Sequence, residues 1–189
     1  FSSGKGGNIV AFLMEHEHFS YPEAIKYLAN KYNIEVEETA TNEKEKEKRN
    51  HLESLYLINQ FAQENFSKNL WESNEGKSIG LSYYKERGFE EKTIRFFGLG
   101  YSLKKYDNLY NESLGYGYDK KYLLETGLVI KNDKGFIDRF RARVVFPIKS
   151  MAGRILGFGG RALIRDTQRA KYINLPERGA NNKGSGLYC

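Results

Sequence analysis

Along the chain, stretches with a helical apolar period alternate with stretches that have no apolar period at all. A glycine-rich opening ends at Gly7, and Asn8 suits the cap of a helix over residues 9–16, because its side-chain oxygen can accept from a first-turn amide. Ser20, with Pro22 in the first turn and Glu23 three residues on, is a capping-box signature for a second helix. Its apolar residues Ala24, Ile25, Leu28, Ala29 and Tyr32 fall on one stripe. Two such helices bury too little to form a core alone. Residues 35–50 (EVEETATNEKEKEKRN) almost lack apolar side chains and alternate Glu with Lys, the pattern of a charged linker with a nascent helix at its end. The helical period resumes with Leu52, Leu55, Ile58, Phe61, Ala62 and Phe66. Further helices are expected from 76–78 to Gly88, over 90–97 closed by Gly98, and over 120–126 with Gly127 past the C-cap. Residues 101–119, rich in Tyr, Asn and Gly, read as irregular.

Between residues 137 and 162 the period changes to two. Phe140, Ala142, Val144, Phe146 and Ile148 alternate with Arg139, Arg141 and Arg143, which predicts one strand carrying three arginines on its open face. Residues 150–153 form a turn and 154–158 the returning strand. The expected fold class is α+β: a small N-terminal helical remnant over 1–37, a charged linker over 38–51, then, over 52–189, a helical segment followed by a small antiparallel β-sheet.

Charge sharpens this picture. From Arg139 onward there are eleven Lys or Arg against Asp166 and Glu177, so this part is +9 and the first 138 residues are −3 of the total +6. Such an asymmetry suits a polyanionic partner as well as an ordinary solvated basic surface. Cys189 is the only cysteine, which excludes disulfides and cysteine-based zinc sites within the chain and favours a reducing, cytoplasmic location. No apolar run approaches the roughly 18 residues needed to cross a bilayer, so no membrane partner is expected. The chain opens at Phe1 rather than Met and stops at Cys189, and it reads as a piece cut at both ends.

Most candidate chemistry fails on spacing. FSSGKGGN (1–8) and EGKSIG (75–80) each hold a Gly-Lys step but lack the phosphate-loop spacing. GFGGR (157–161) follows a strand yet lacks the third glycine and the later acid of a dinucleotide site; its bare backbone suits close approach, with Arg161 projecting from it. His16 and His18 are two apart on a helix and diverge, which is poor metal geometry. What remains is DRFRARVVFPI (138–148), GFGGR, KYINLPE (171–177) and KGSGLY (183–188). Guanidinium and ammonium groups suit phosphate oxygens, a Tyr ring can stack on an unpaired base, and Asn can bond a phosphate or base edge. Nothing in this set can act as a general base near neutral pH or hold two divalent metals. The surface can grip but not catalyse.

These strings closely resemble the bacterial replicative DNA primase family, in which D-R-F-R-x-R-V-x-F-P-I, G-x-I-x-G-F-G-G-R, K-Y-x-N-x-P-E and K-G-x-x-L-Y occur in this order through the basic N-terminal part of the RNA polymerase domain. Residues 83–101 (YYKERGFEEKTIRFFGLGY) are similar to a further family pattern, and residues 4–37 resemble the end of its zinc-binding domain. The resemblance implies single-stranded DNA template contacts from Arg87, Arg139, Arg141, Arg143, Arg161, Lys171, Tyr172, Asn174 and Lys183, with NTPs and the RNA primer as further partners of the same surface. It implies no catalytic residue here: the metal-binding carboxylates, with their Mg or Mn, are expected in a Toprim subdomain beyond Cys189. It implies a replicative DNA helicase as partner of a C-terminal domain that is also missing. Zinc is expected for the family, but where members have a cysteine ahead of the glycine-rich stretch this chain has Ser3, which argues against zinc here.

Three readings follow. The chain is part of a DNA-directed RNA polymerase making primers for replication, inactive by itself; or a non-catalytic single-stranded nucleic-acid-binding module; or an interaction domain whose arginines meet a protein's acidic face.

Overall fold

The computed structural model describes residues 7–35, 43–133, 135–150, 152–163 and 170–175. Helices α1 (Ile9–His16) and α2 (Tyr21–Tyr32) are capped as their sequences dictate: Asn8 Oδ1 accepts from the Ala11 amide at 2.9 Å, and the Glu23 carboxylate accepts from the Ser20 amide at 2.8 Å. Their small shared core is Leu13, Phe19 and Ala24. Arg154 attaches the pair to the rest of the protein. Its guanidinium lies 3.5 Å from Glu23, 3.9 Å from Glu53, and over the rings of Phe19 and Tyr56.

Helix α3 (Glu43–Glu72) starts inside the charged stretch, so the expected linker is helical from Glu43 rather than open to residue 51. The alternation explains this, because Glu and Lys three apart and Glu45 and Arg49 four apart are spaced for favourable pairs on a helix surface. From Leu55 onward it buries Leu55, Ile58, Ala62, Phe66 and Leu70. Three asparagines share that face, and their amides are spent internally: Asn59 donates to the Ile155 carbonyl, Asn65 to Glu112, and Asn69 to Asn65. A π-helical segment (Gly76–Leu81) runs into α4 (Ser82–Glu86), and α5 (Glu91–Phe97) ends at Gly98 in the left-handed region.

A four-stranded antiparallel sheet forms the centre, in the order β1 (Gly100–Ser102), β4 (Arg143–Lys149), β5 (Ile155–Ala162), β6 (Tyr172–Asn174). A separate hairpin joins β2 (Val129–Asn132) to β3 (Gly135–Asp138). One sheet face presents Val145, Phe158 and Ile173 to α3 and to Leu109 and Leu123 of α6 (Asn108–Gly115) and α7 (Lys120–Glu125). The other presents Tyr101, Val144 and Phe146 to Leu81, Tyr84 and Ile94. Tyr84 is fully buried, and its hydroxyl donates to the carbonyls of Gly100 and Val145, both at 3.1 Å, which ties α4 to β1 and β4. β1 sits against α3 so closely that a Cβ on Gly100 would fall 2.5 Å from Phe66 Cβ.

The α+β class holds, but two local expectations are corrected. Residues 101–119 are not irregular: they supply β1 and α6. Helix α6 lacks a side-chain cap of its own; the Asp138 carboxylate does this work from β3, accepting from the amides of Leu109 at 2.7 Å and Tyr110 at 3.1 Å. Burial pushes the Asp138 carboxyl up to about 6, against the opposing pull of these amide bonds. The predicted arginine strand is the second correction. Only residues from Arg143 onward are strand; 139–142 form a turn, with Ala142 at φ 55°. Its amides are satisfied outside the sheet, Arg139 by the Leu128 carbonyl and Ala142 by that of Leu103. Phe140 turns inward over Gly160, where a Cβ would sit 2.4 Å from the ring. Phe140 is therefore buried as the alternation requires, but as a plug rather than a strand residue.

Candidate nucleic-acid interface

The basic residues gather at one end of the four-stranded sheet, where Ser102, Arg143 and Ala162 are paired neighbours and the Ala162 amide donates to the Lys171 carbonyl. They arrive there by different routes. Arg161 and Tyr172 are register partners on β5 and β6, and Asn174 partners Gly159 on the same face. Helix α4 overhangs this face. Its Tyr83 hydroxyl accepts from Arg161 Nη1 at 2.8 Å, and Arg87, one turn further on, lies 5.1 Å from the Tyr83 ring. Arg161 itself lies over both Tyr83 (5.1 Å) and Tyr172 (5.4 Å), and Lys171 lies over Tyr172 at 5.7 Å. Arg87, Arg161, Lys171, Tyr172 and Asn174 thus form one surface, with Tyr172 59% exposed.

Arg139 and Arg141 come from the turn. Arg139 is exposed and its Nη1 lies across Gly127, while Arg141 lies 4.9 Å over the ring of Tyr106, itself 37% exposed. Arg143 departs from its expected place. It is 5% exposed on the opposite sheet face from Arg161, and its guanidinium donates to the carbonyls of Ala170 (2.7 Å) and Lys171 (3.2 Å). The three arginines are therefore not side by side: two are presented by the turn, and the third is turned inward, where it holds the backbone that carries Lys171 and Tyr172. Lys183 lies outside the described residues.

Two aromatic members were missed in the sequence. Tyr83 stands four residues before Arg87 on a predicted helix, so helical spacing already places the two on one face. Tyr106 carries no local signal, because Arg141 reaches it from 35 residues away.

The cations of this surface carry no ion pair, a state they share among the described residues with others such as Arg95, which lies over Trp71 at 3.7 Å. Lys85 pairs with Glu91 and Arg154 with Glu23, but among the described residues Arg87, Arg139, Arg141, Arg161 and Lys171 have no ion pair. Their neighbours are tyrosine rings, a hydroxyl and glycine, none of which cancels charge. Such a set is ready to receive anionic oxygens with aromatic faces beside them.

Residues 65–189 match the family of the DNA primase catalytic core, N-terminal domain. The chain belongs to that family. Residues 1–44 also match the CHC2 zinc finger. The DNA primase of Clostridium acetobutylicum is 38% identical over 188 residues, which is 100% of this chain and 30% of that protein. Among solved structures, the zinc-binding and RNA polymerase domains of Aquifex aeolicus primase superpose with a TM-score of 0.59 at 30% identity, over 92% of this chain and 40% of that one. A DnaG primase catalytic domain bound to single-stranded DNA gives 0.61 at 32% identity, over 68% and 41%. The chain thus spans less than a third of the curated primase from C. acetobutylicum.

The zinc-finger match makes zinc a property of this primase family. The described side chains do not fit a zinc site: no group of three or more His, Cys, Asp or Glu converges among the described residues, and the His16 ring lies tilted against Phe12 at 4.5 Å. No described helix is long and apolar enough to cross a membrane.

Proposed function

We propose that this chain is the template-gripping part of a DNA primase, a cytoplasmic DNA-directed RNA polymerase that lays down short RNA primers on single-stranded DNA for replication. The observation that carries the reading is the gathering of Arg87, Arg141, Arg161 and Lys171, which have no carboxylate partner among the described residues, on the rings of Tyr83, Tyr106 and Tyr172. Arg87, Arg139, Arg141, Arg161 and Lys171 engage phosphates, Tyr172 and Tyr106 offer faces to unpaired bases, and Asn174 bonds a phosphate or base edge. Lys183, outside the described residues, is a further template contact by resemblance. NTPs and the nascent RNA are partners of this surface too, and the replicative helicase a partner of a C-terminal domain. The binding of single-stranded DNA by a related catalytic domain supports the same assignment. Nucleotidyl transfer belongs to the part of the primase that this chain does not span, where carboxylates would hold Mg or Mn.

The test is a fluorescence anisotropy titration of a labelled single-stranded oligonucleotide at several salt concentrations. Five phosphate contacts give a log–log salt slope of roughly −3.5, at about 0.7 per contact on single strands. No affinity at low salt, or tighter binding to an acidic protein than to the oligonucleotide at matched salt, would refute the reading.

A further inference from the structure

We propose that Tyr83 is a positioning residue that holds Arg87 and Arg161 together without neutralising either; the proposal rests on the template-gripping reading above. Two guanidinium groups brought to one place repel each other, and the common solution is a carboxylate between them. Here a tyrosine stands in that position. Its ring centroid is 5.1 Å from the guanidinium carbon of Arg87 and 5.1 Å from that of Arg161, and its hydroxyl accepts from Arg161 Nη1 at 2.8 Å. The electron-rich ring faces attract both cations, and the hydroxyl fixes the orientation of one. A carboxylate would hold the pair as well but would cancel the charge that an anionic ligand needs.

Three further features suit this role. The neighbouring Tyr84 is anchored to the carbonyls of Gly100 and Val145, so Tyr83 projects from a helix pinned to the sheet. Tyr172 closes the other side of Arg161 at 5.4 Å, leaving that side chain between two rings. Arg161 Nε is buried with no hydrogen-bond partner among the described residues, so the guanidinium is oriented by the Tyr83 hydroxyl and the two rings alone. The ligand this arrangement fits is a phosphodiester oxygen pair, taken by two pre-oriented guanidinium groups at once.

The experiment compares wild type, Tyr83→Phe, Arg161→Ala and the double variant for binding to a labelled oligothymidylate across a salt series, with thermal melting of each protein alongside. Tyr83→Phe removes only the hydroxyl and is expected to weaken binding about fivefold, the effect of one hydrogen bond, with the melting midpoint kept. Its salt slope stays at the wild-type value, because the number of phosphates contacted is unchanged. Arg161→Ala lowers the slope by about 0.7, and adding Tyr83→Phe to it has no further effect. An unchanged Tyr83→Phe isotherm overturns the positioning role while leaving the template-gripping reading intact. An equal loss with and without Arg161, or a reduced slope in Tyr83→Phe, also overturns it, since Tyr83 would then touch the nucleic acid itself. Absence of binding by the wild-type chain overturns both.

Discussion

Replacing Arg143 by Gln separates a template contact from an internal strut. The substitution keeps much of the stem and removes a charge that is 5% exposed and bonded to the carbonyls of Ala170 and Lys171. A hydrogen bond from a charged donor contributes about 1.5–3 kcal/mol, so these two together contribute about 3–6 kcal/mol before any replacement. The carbonyls recover part of that. Lys171 O still accepts from the Ala162 amide, and Ala170 is exposed, so water can replace the lost donor there. The expected loss is therefore about 2–3 kcal/mol, which for a protein of this size lowers the thermal midpoint by roughly 5–10 °C. Urea denaturation of Arg143→Gln and Arg141→Gln, each also titrated with single-stranded DNA across salt, gives the comparison. Arg141→Gln, half-buried on the turn beside the Tyr106 ring and bonded to no backbone carbonyl among the described residues, should stay within about 0.5 kcal/mol of wild type and lose about 0.7 of the salt slope. An Arg143→Gln protein of wild-type stability whose slope drops by that same amount would refute the strut and return Arg143 to the template.

Asp138 gives a pH prediction. Its carboxyl is raised in the fold from 3.8 to about 6, so its contribution to stability is fully present below pH 4 and is lost as pH rises toward 6, a change of up to ~3 kcal/mol at 1.36 kcal/mol per unit; stability measured from pH 4 to 6 in Asp138→Asn should lack that fall, and an identical profile in both proteins would contradict it. Gly100→Ala places a methyl 2.5 Å from Phe66 Cβ and 2.7 Å from the Phe66 carbonyl carbon, and forcing β1 away from α3 should cost about 1–3 kcal/mol in a thermal melt.

How far the fold could be read from the sequence depended on how far away the stabilising partner lay. Helix α2 carries its cap at Ser20, and α5 and α7 are followed by Gly98 and Gly127, all next to the residues they serve, so all three were legible. Helix α6 takes its cap from Asp138, about thirty residues downstream, and a local reading of a Tyr/Asn/Gly-rich stretch has no access to that bond. The arginine turn failed for a subtler reason. Burial of Phe140 and exposure of Arg139 satisfy a two-residue alternation whether the backbone is a strand or a turn, and only the space left above Gly160 decides between them. Of the site, Arg87, Arg161, Lys171, Tyr172 and Asn174 could be collected from motif strings, but the inward turn of Arg143 could not, since alternation placed it with Arg139 and Arg141.

Arg154 and Arg161, near opposite ends of β5, differ in their partners in the way that would separate a structural cation from the template contact proposed for Arg161. Arg154 faces two carboxylates and two aromatic rings, Glu23, Glu53, Phe19 and Tyr56, and its charge is consumed in fastening the N-terminal helices. Arg161 also lies between two aromatic rings, yet its hydrogen-bond partner is the neutral hydroxyl of Tyr83. The same holds for the other positions at that end: Arg141 rests on Tyr106, Lys171 on Tyr172, and the Lys171 backbone hangs from Arg143 through carbonyl oxygens. The side chains of Arg141, Arg161 and Lys171 are oriented by tyrosines, which carry no net charge. Rigid cations whose field is left uncancelled are what a phosphate chain selects, since binding then requires neither breaking an ion pair nor ordering a free side chain. Arg154 is equally ordered but fails the first condition, because its charge is engaged by Glu23 and Glu53.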